Sequence, residues 1–267
     1  MDVGLDLGQP GVFTYRDGVA VIQLFFFTIY LALGVVLCWR HGFRRSDGWI
    51  LVVTLSILRL LGASFQLATI HTQNTTTYGG ALICQGIGLA PLILLNLGMF
   101  IRMNMYFKKL HRLVFTAISV IAIVAIALAI YGGTESAESA TLGSNTMLKV
   151  SVILFVVCYA MFWGLFFYFI GHRKALPAPE QKMFLCLPLC APFMIARLLY
   201  SILGDYVPSL RSQFSVLDGN VTAFLCMAVL EEIIVVAVYV FFGMGLEKLS
   251  PEMKGTRRRN DGDGVFD

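Results

Sequence analysis

Four ionisable residues lie where a charge costs most. Arg59, Arg197, Glu231 and Glu232 each fall inside a mainly apolar run of about 20 residues, the length a helix needs to cross a bilayer core of about 30 Å. A charge at that depth costs roughly 2.5 to 3.5 kcal/mol on insertion scales, so such residues face a bundle interior and find partners. Adjacent helical residues point about 100° apart, so the two glutamates cannot both meet one guanidinium. The pattern predicts that one, paired with Arg59 or Arg197, stays ionised. The other, desolvated beside a like charge, is then held as a neutral acid able to donate a proton in an apolar site. Glu232 shares a helix stripe with Tyr239 and Glu231 with Val238, which favours Glu232 as the catalytic member inside a cavity. The plainer alternative is an ion-pair network that only holds helices together.

Other polar residues fall in register with these four. Ser56, Arg59, Gly62 and Gln66 share one helix face; Gln85, Leu89, Leu92 and Asn96 share another, and Gln23 and Tyr30 a third. Gln23, Gln66, Gln85, Asn96 and Tyr239 are therefore the expected cavity lining. Asp17, Lys149, Asp205 and Asp218 are expected around a mouth on the lumenal side, unless each is a solvated helix-end charge.

The elements that must position them are membrane helices. The chain has 267 residues, 58% hydrophobic and 13% charged, with a mean hydropathy of +0.78, whereas soluble domains carry about a quarter charged residues. Seven spans are expected near 17–38, 49–70, 80–101, 113–132, 147–171, 183–203 and 222–246, as one all-α seven-transmembrane-helix bundle over 17–246. Arg40, Arg44 and Arg45, then Arg102, Lys108, Lys109 and Arg112, then Arg173, Lys174 and Lys182 mark alternate connections as basic. The positive-inside rule puts these in the cytosol with the polar tail 247–267, which is expected to be disordered. It puts the N-terminal tail 1–16 and the connections 71–79, 133–146 and 204–221 in the lumen. Residues 1–16 contain no apolar run, so span 1 is expected to act as the signal anchor, with the endoplasmic reticulum or another endomembrane as address. The net charge of +4 belongs to these loops and does not indicate nucleic acid. Ser56 to Ser64 in span 2 echoes Ile195 to Ser201 in span 6, each with Arg-Leu-Leu, which suggests a three plus one plus three internal repeat.

Asn74 and Asn220 begin Asn-x-Thr sequons on the expected lumenal side, Asn220 close to the membrane. The six cysteines lie in or beside spans, which suits small packing residues better than a disulfide framework. Clustered carboxylates for Mg²⁺ and a diphosphate, a Gly-rich phosphate loop, a nucleophile elbow and haem or zinc spacings are all missing from the sequence. No cofactor and no metal are expected. The Asp-Arg-Tyr and Asn-Pro-x-x-Tyr motifs of rhodopsin-like receptors are missing as well.

The pattern Arg40-His-Gly-Phe-Arg-Arg-Ser-Asp-Gly-Trp49, followed by Arg59 and by Gly86-Ile-Gly-Leu-Ala-Pro-Leu92, resembles a family of fungal seven-helix membrane proteins. That family is similar to the membrane-bound terpene cyclases of ascofuranone- and macrophorin-type meroterpenoid pathways, over about Asp17 to Gly245. The resemblance implies a metal-free cyclase that protonates an epoxide or alkene on a prenylated, lipophilic small molecule drawn from membrane lipids; it carries over no catalytic motif. Glu231 or Glu232 would be the donor, and the Phe162, Trp163, Phe166, Phe167, Tyr168 cluster would face the cation unless it only packs. A seven-helix lipid or small-molecule transporter, and a receptor with a switchable ion-pair lock, remain open.

Overall fold

Long apolar runs leave the backbone one way to satisfy its polar groups within a bilayer, which is to bond along its own helix. In the computed structural model, which describes residues 11–41, 48–72, 74–107, 110–138, 145–215 and 219–246, seven helical stretches are long and apolar enough to cross a membrane. They are span 1 (Tyr15–His41), span 2 (Ile50–Ala68), span 3 (Gly79–Tyr106), span 4 (Arg112–Ser136), span 5 (Thr146–Ile170), span 6 (Met183–Tyr206) and span 7 (Val221–Gly245). This is the all-helical architecture of a multi-pass membrane protein. Asp218, Arg44, Arg45, Lys108, Lys109 and the tail 247–267 lie outside the described residues, as does most of the tail 1–16.

Span 3 is the most buried of the seven and forms the axis of the bundle. Its neighbours press large side chains against it, with Phe100 stacked on both Phe162 and Phe169 at 6.0 Å between ring centres. At the end of the bundle where span 1 begins, the entry end as opposed to the exit end where span 1 finishes, Gly11 N–H donates to Ile70 O at 2.9 Å, Arg16 Nη2 to Gly219 O at 2.8 Å and Tyr206 Oη to Lys149 O at 2.7 Å. At the exit end, Arg40 Nη1 donates to Met244 O at 2.7 Å, a cation capping the last carbonyls of span 7. There the ring of Trp49, fully buried, packs on Gly243, where a Cβ would lie 2.4 Å from the indole.

Four departures from the expected elements matter for the site. Span 3, expected as one helix over 80–101, is two, Thr75–Gly86 and Leu89–Phe107. Pro91 has no N–H for the carbonyl of Ile87, and at Gly88 a Cβ would lie 1.5 Å from Arg59 Nη2, so the break makes room for a guanidinium. Span 7 carries a π-helical turn, Leu225–Val229, between the α-helical Val221–Phe224 and Leu230–Gly245; such turns are frequent at functional sites. The helix that carries span 4 continues to Glu138, beyond the expected 132. The connection is structured over residues 204–215 where a loop was expected: span 6 runs to Tyr206, a 3-10 turn follows at Pro208–Leu210 and a short helix at Arg211–Phe214. It folds back over the bundle, with Tyr200 Oη donating to Ser215 O at 3.1 Å.

Candidate functional site

The centre of the bundle is a closed hydrogen-bonded network on one carboxylate. Arg59 donates through Nε and Nη2 to the two carboxylate oxygens of Glu232, both residues 1% exposed. Arg197 adds Nε to Oε1 of the same carboxylate at 3.3 Å. Two cations on one anion leave a net positive charge, and the break in span 3 offsets it. In an unbroken helix the carbonyls of Cys84 and Gln85 would accept from N–H groups four residues on. Here Arg59 Nη1 donates to both, at 3.2 and 3.1 Å, and Arg197 Nη2 donates to Gln85 O at 3.2 Å. These are the negative, C-terminal carbonyls of a half-helix, the place where a cation is stabilised. Gln85 Oε1 accepts from Arg59 Nη1 at 2.6 Å, and the Gln85 and Gln23 amides exchange bonds at 2.8 and 3.2 Å.

Beside this network is a cavity of about 120 Å³ near the entry end. Spans 3, 4, 5 and 6 wall it and the folded-back connection roofs it. Leu82, Ile83, Leu89, Leu148, Val152 and Phe155 form its apolar side; Arg197, Ser201, Asp205, Arg211 and Ser215 form its polar side. Neither the Asp205 carboxylate nor the Arg211 guanidinium makes a hydrogen bond or salt bridge among the described residues. Two other hollows, lined in part by Asn96 and by Trp49, are smaller, at about 20 and 10 Å³.

The structure brings Arg59, Arg197, Glu232, Gln85 and Gln23 together as the sequence implies, but as a network and not as the lining of a cavity. Among the residues expected to be catalytic or cavity-lining, Arg197 alone lines this cavity. Glu232, favoured as the acid inside a cavity, instead accepts from two guanidiniums and does not line this cavity. Glu231, one residue earlier, is 7% exposed and its Oε2 has no hydrogen-bond partner among the described residues, yet it does not line the cavity either. Gln66 is elsewhere, donating to Asp17 Oδ1 at 3.2 Å. Asp17 is buried with Thr14, not at a mouth. Tyr239 donates to Asn96 Oδ1, a neutral pair further along spans 3 and 7. Lys149 sits over the Tyr206 ring, 5.9 Å from its centre. Of the span 5 aromatics, Phe162 packs on Phe100 of span 3 and Phe166 on Phe184 of span 6, Phe167 and Tyr168 are exposed, and Phe162, Trp163 and Phe166 line the Asn96 hollow. Asn74 and Asn220 each accept backbone N–H bonds as helix N-caps.

A family model described as Domain of unknown function (DUF7702) matches residues 13–249. The chain belongs to the DUF7702 family. No curated protein matches it. In this DUF7702 chain the matched region takes in the whole network, the cavity and the Arg40 and Trp49 contacts that close the exit end.

Two further features of the DUF7702 chain were not foreseen. Arg102, counted as a basic loop residue, is fully buried and bonds both oxygens of Glu180 through Nε at 3.1 and 3.0 Å, with Tyr106 Oη donating to Glu180 Oε1 at 3.3 Å. The signal was available: Glu180 is the lone acid in the basic stretch 171–182. Asp205, taken as a mouth charge, is the carboxyl that actually lines the cavity.

Proposed function

We propose that this protein is a metal-free membrane terpene cyclase acting on a lipophilic prenylated substrate that enters from the bilayer, with the cavity beside Arg197 as its reaction chamber. The observation that carries the reading is the carboxyl of Asp205 on the wall of a largely apolar cavity, making no hydrogen bond or close salt bridge among the described residues, with Arg211, Lys149 and Arg197 as the charges nearest it. Asp205 delivers a proton to an epoxide oxygen or alkene of the prenyl chain; an internal alkene or hydroxyl captures the cation, and the proton lost on capture returns to the Asp205 carboxylate. Phe155 and Tyr200, which also line the cavity, offer ring faces to the cation. Arg59 and Arg197 position the chamber through Glu232 and need not touch the reacting atoms.

The test is expression in a heterologous fungus fed with epoxyfarnesyl aromatic substrates, with products sought at unchanged mass. Cyclised isomers are expected. Asp205→Asn lowers their rate at least about 100-fold, while Glu231→Gln retains most of it. No conversion by a membrane-inserted protein overturns the reading. Activity kept in Asp205→Asn and lost in Glu231→Gln returns the acid to the glutamate.

The same reading places the N-terminus in the lumen of an endomembrane, the C-terminus in the cytosol, and a glycan on Asn74. An endoglycosidase-sensitive mass shift that disappears in Asn74→Gln checks the orientation.

One observation favours a second reading, a transporter of small molecules or lipids. Discontinuous helices whose ends meet charged groups near the bilayer midplane are how many secondary transporters build their sites, and span 3 is broken where it meets Arg59 and Arg197. Export of an unaltered lipophile from loaded vesicles, with no isomerised product, selects it over the cyclase.

A further inference from the structure

Arg197 does more than hold Glu232. A guanidinium carries five N–H donors in a rigid fork. Nε is used on Glu232, one Nη1 hydrogen on Ser201 and one Nη2 hydrogen on Gln85 O, which leaves one N–H on each terminal nitrogen. The same residue lines the cavity. The same hollow is lined by Arg211 on the short helix Arg211–Phe214, whose guanidinium has no hydrogen bond or salt bridge among the described residues. Two arginines with unspent donors therefore line one hollow, together with the apolar Leu82, Ile83, Leu89, Leu148, Val152 and Phe155.

We infer that this cavity recognises the head of an amphiphile carrying a single anionic oxygen group, a carboxylate or phosphate, held between Arg197 and Arg211 with its apolar tail along spans 3 and 5. Planar forks match such oxygens in pairs, and charge-assisted bonds of this kind are the strong ones. Glu232 and the span 3 carbonyls fix Arg197 before any ligand arrives, so its ordering cost is already met by the fold. Arg211 closes the site from the roof. The inference deepens the cyclase reading and rests on it for Asp205, which as the neutral acid of that reaction leaves two positive charges facing the head. It names the head of the substrate that the chamber takes.

The experiment measures binding apart from turnover. The full chain carrying Asp205→Asn, inactive on the cyclase reading, is placed in phosphatidylcholine nanodiscs with tritiated farnesoate, and unlabelled farnesoate and farnesol compete. These probes share a prenyl tail and differ in the head. Farnesoate is expected to displace the label at a concentration about tenfold or more below farnesol. Adding Arg211→Gln weakens farnesoate by a similar factor, and Arg211→Lys restores part of the loss. Nanodiscs containing phosphatidylglycerol that suppress farnesoate binding only when Arg211 is intact identify a bilayer lipid as an occupant through the same head chemistry. Farnesol competing as well as farnesoate, or unchanged affinity in Arg211→Gln, overturns the inference. Selective farnesoate binding without turnover of any epoxyfarnesyl substrate by the wild type leaves recognition standing and removes the cyclase. Turnover without head selectivity does the reverse.

Discussion

Arg59–Glu232–Arg197 and Arg102–Glu180 are both buried ion-pair centres built on span 3, and they differ in what surrounds them. The first joins spans 2, 3, 6 and 7, has more cation than anion, leans on carbonyls released by a broken helix and borders a hollow through Arg197. The second pairs one cation with one anion, ties the end of span 3 to the connection before span 6, and lines none of the three hollows. A buried pair is weak evidence for stability by itself, because desolvation offsets much of the attraction. The useful distinction is whether the pair leaves a donor turned toward space that a ligand could fill. By that measure the first centre supports a site and the second fastens a connection.

The largest expected effect comes from breaking the first centre at its anion. Glu232→Gln strands two guanidiniums among groups that are 1 to 2% exposed, and removing one partner of a buried pair costs about 3 to 5 kcal/mol. With two cations stranded, the upper end is expected, seen as a large fall in the melting temperature of the purified protein and loss of the monodisperse peak on size exclusion. A stable Glu232→Gln protein would mean that the span 3 carbonyls alone balance both arginines.

Next comes the second centre. Arg102→Met strands Glu180 and is expected to cost about 3 kcal/mol, whereas Arg102→Met with Glu180→Leu returns most of that, because a buried pair exchanged for apolar groups is often neutral. A thermal-denaturation double-mutant cycle reads the difference. If the double variant stays as unstable as the single, the pair does more than fasten the connection and the contrast between the centres narrows.

The sequence made the bundle and the first centre legible for one reason. Within an apolar run of about 20 residues a charge has no solvent, so Arg59, Arg197 and Glu232 announce that they must meet. The second centre stayed hidden because Arg102 lies near a span end, where a solvated arginine and a buried one look alike until Glu180 is seen to fold back. The break in span 3 was written in Gly88 and Pro91, but a helix pattern tolerates both residues, and only the approach of Arg59 decides that the chain must part there. Asp205 failed to stand out because a carboxyl at a helix end is ordinarily solvated. Its position on a cavity wall depends on the connection 207–215 folding over it, which no local pattern encodes.

Gly88→Ala tests whether the break serves the first centre. The added methyl would occupy the place of Arg59 Nη2, so the guanidinium must withdraw from Glu232 or the two half-helices must shift. Overpacking of this kind costs about 1 to 3 kcal/mol, less than losing the anion because Arg59 keeps its charge partner within reach. A melting temperature equal to that of the wild type would show that the span 3 gap is wider than the arginine needs.

The smallest effect is expected at Asn96–Tyr239, which lies along spans 3 and 7 between the two charged centres and carries no charge. Tyr239→Phe leaves the Asn96 carbonyl oxygen without its phenol donor, although Asn96 Nδ2 still donates to Leu92 O at 3.0 Å. An unmet buried acceptor costs about 1 kcal/mol or somewhat more. Tyr239→Phe combined with Asn96→Leu removes acceptor and donor together and should fall within about 0.5 kcal/mol of the wild type on the same argument. This neutral pair is the baseline against which the charged centres are scaled: if Tyr239→Phe costs as much as Arg102→Met, burial and not charge sets the energetics of this bundle, and the contrast between its two ion-pair centres loses its physical basis.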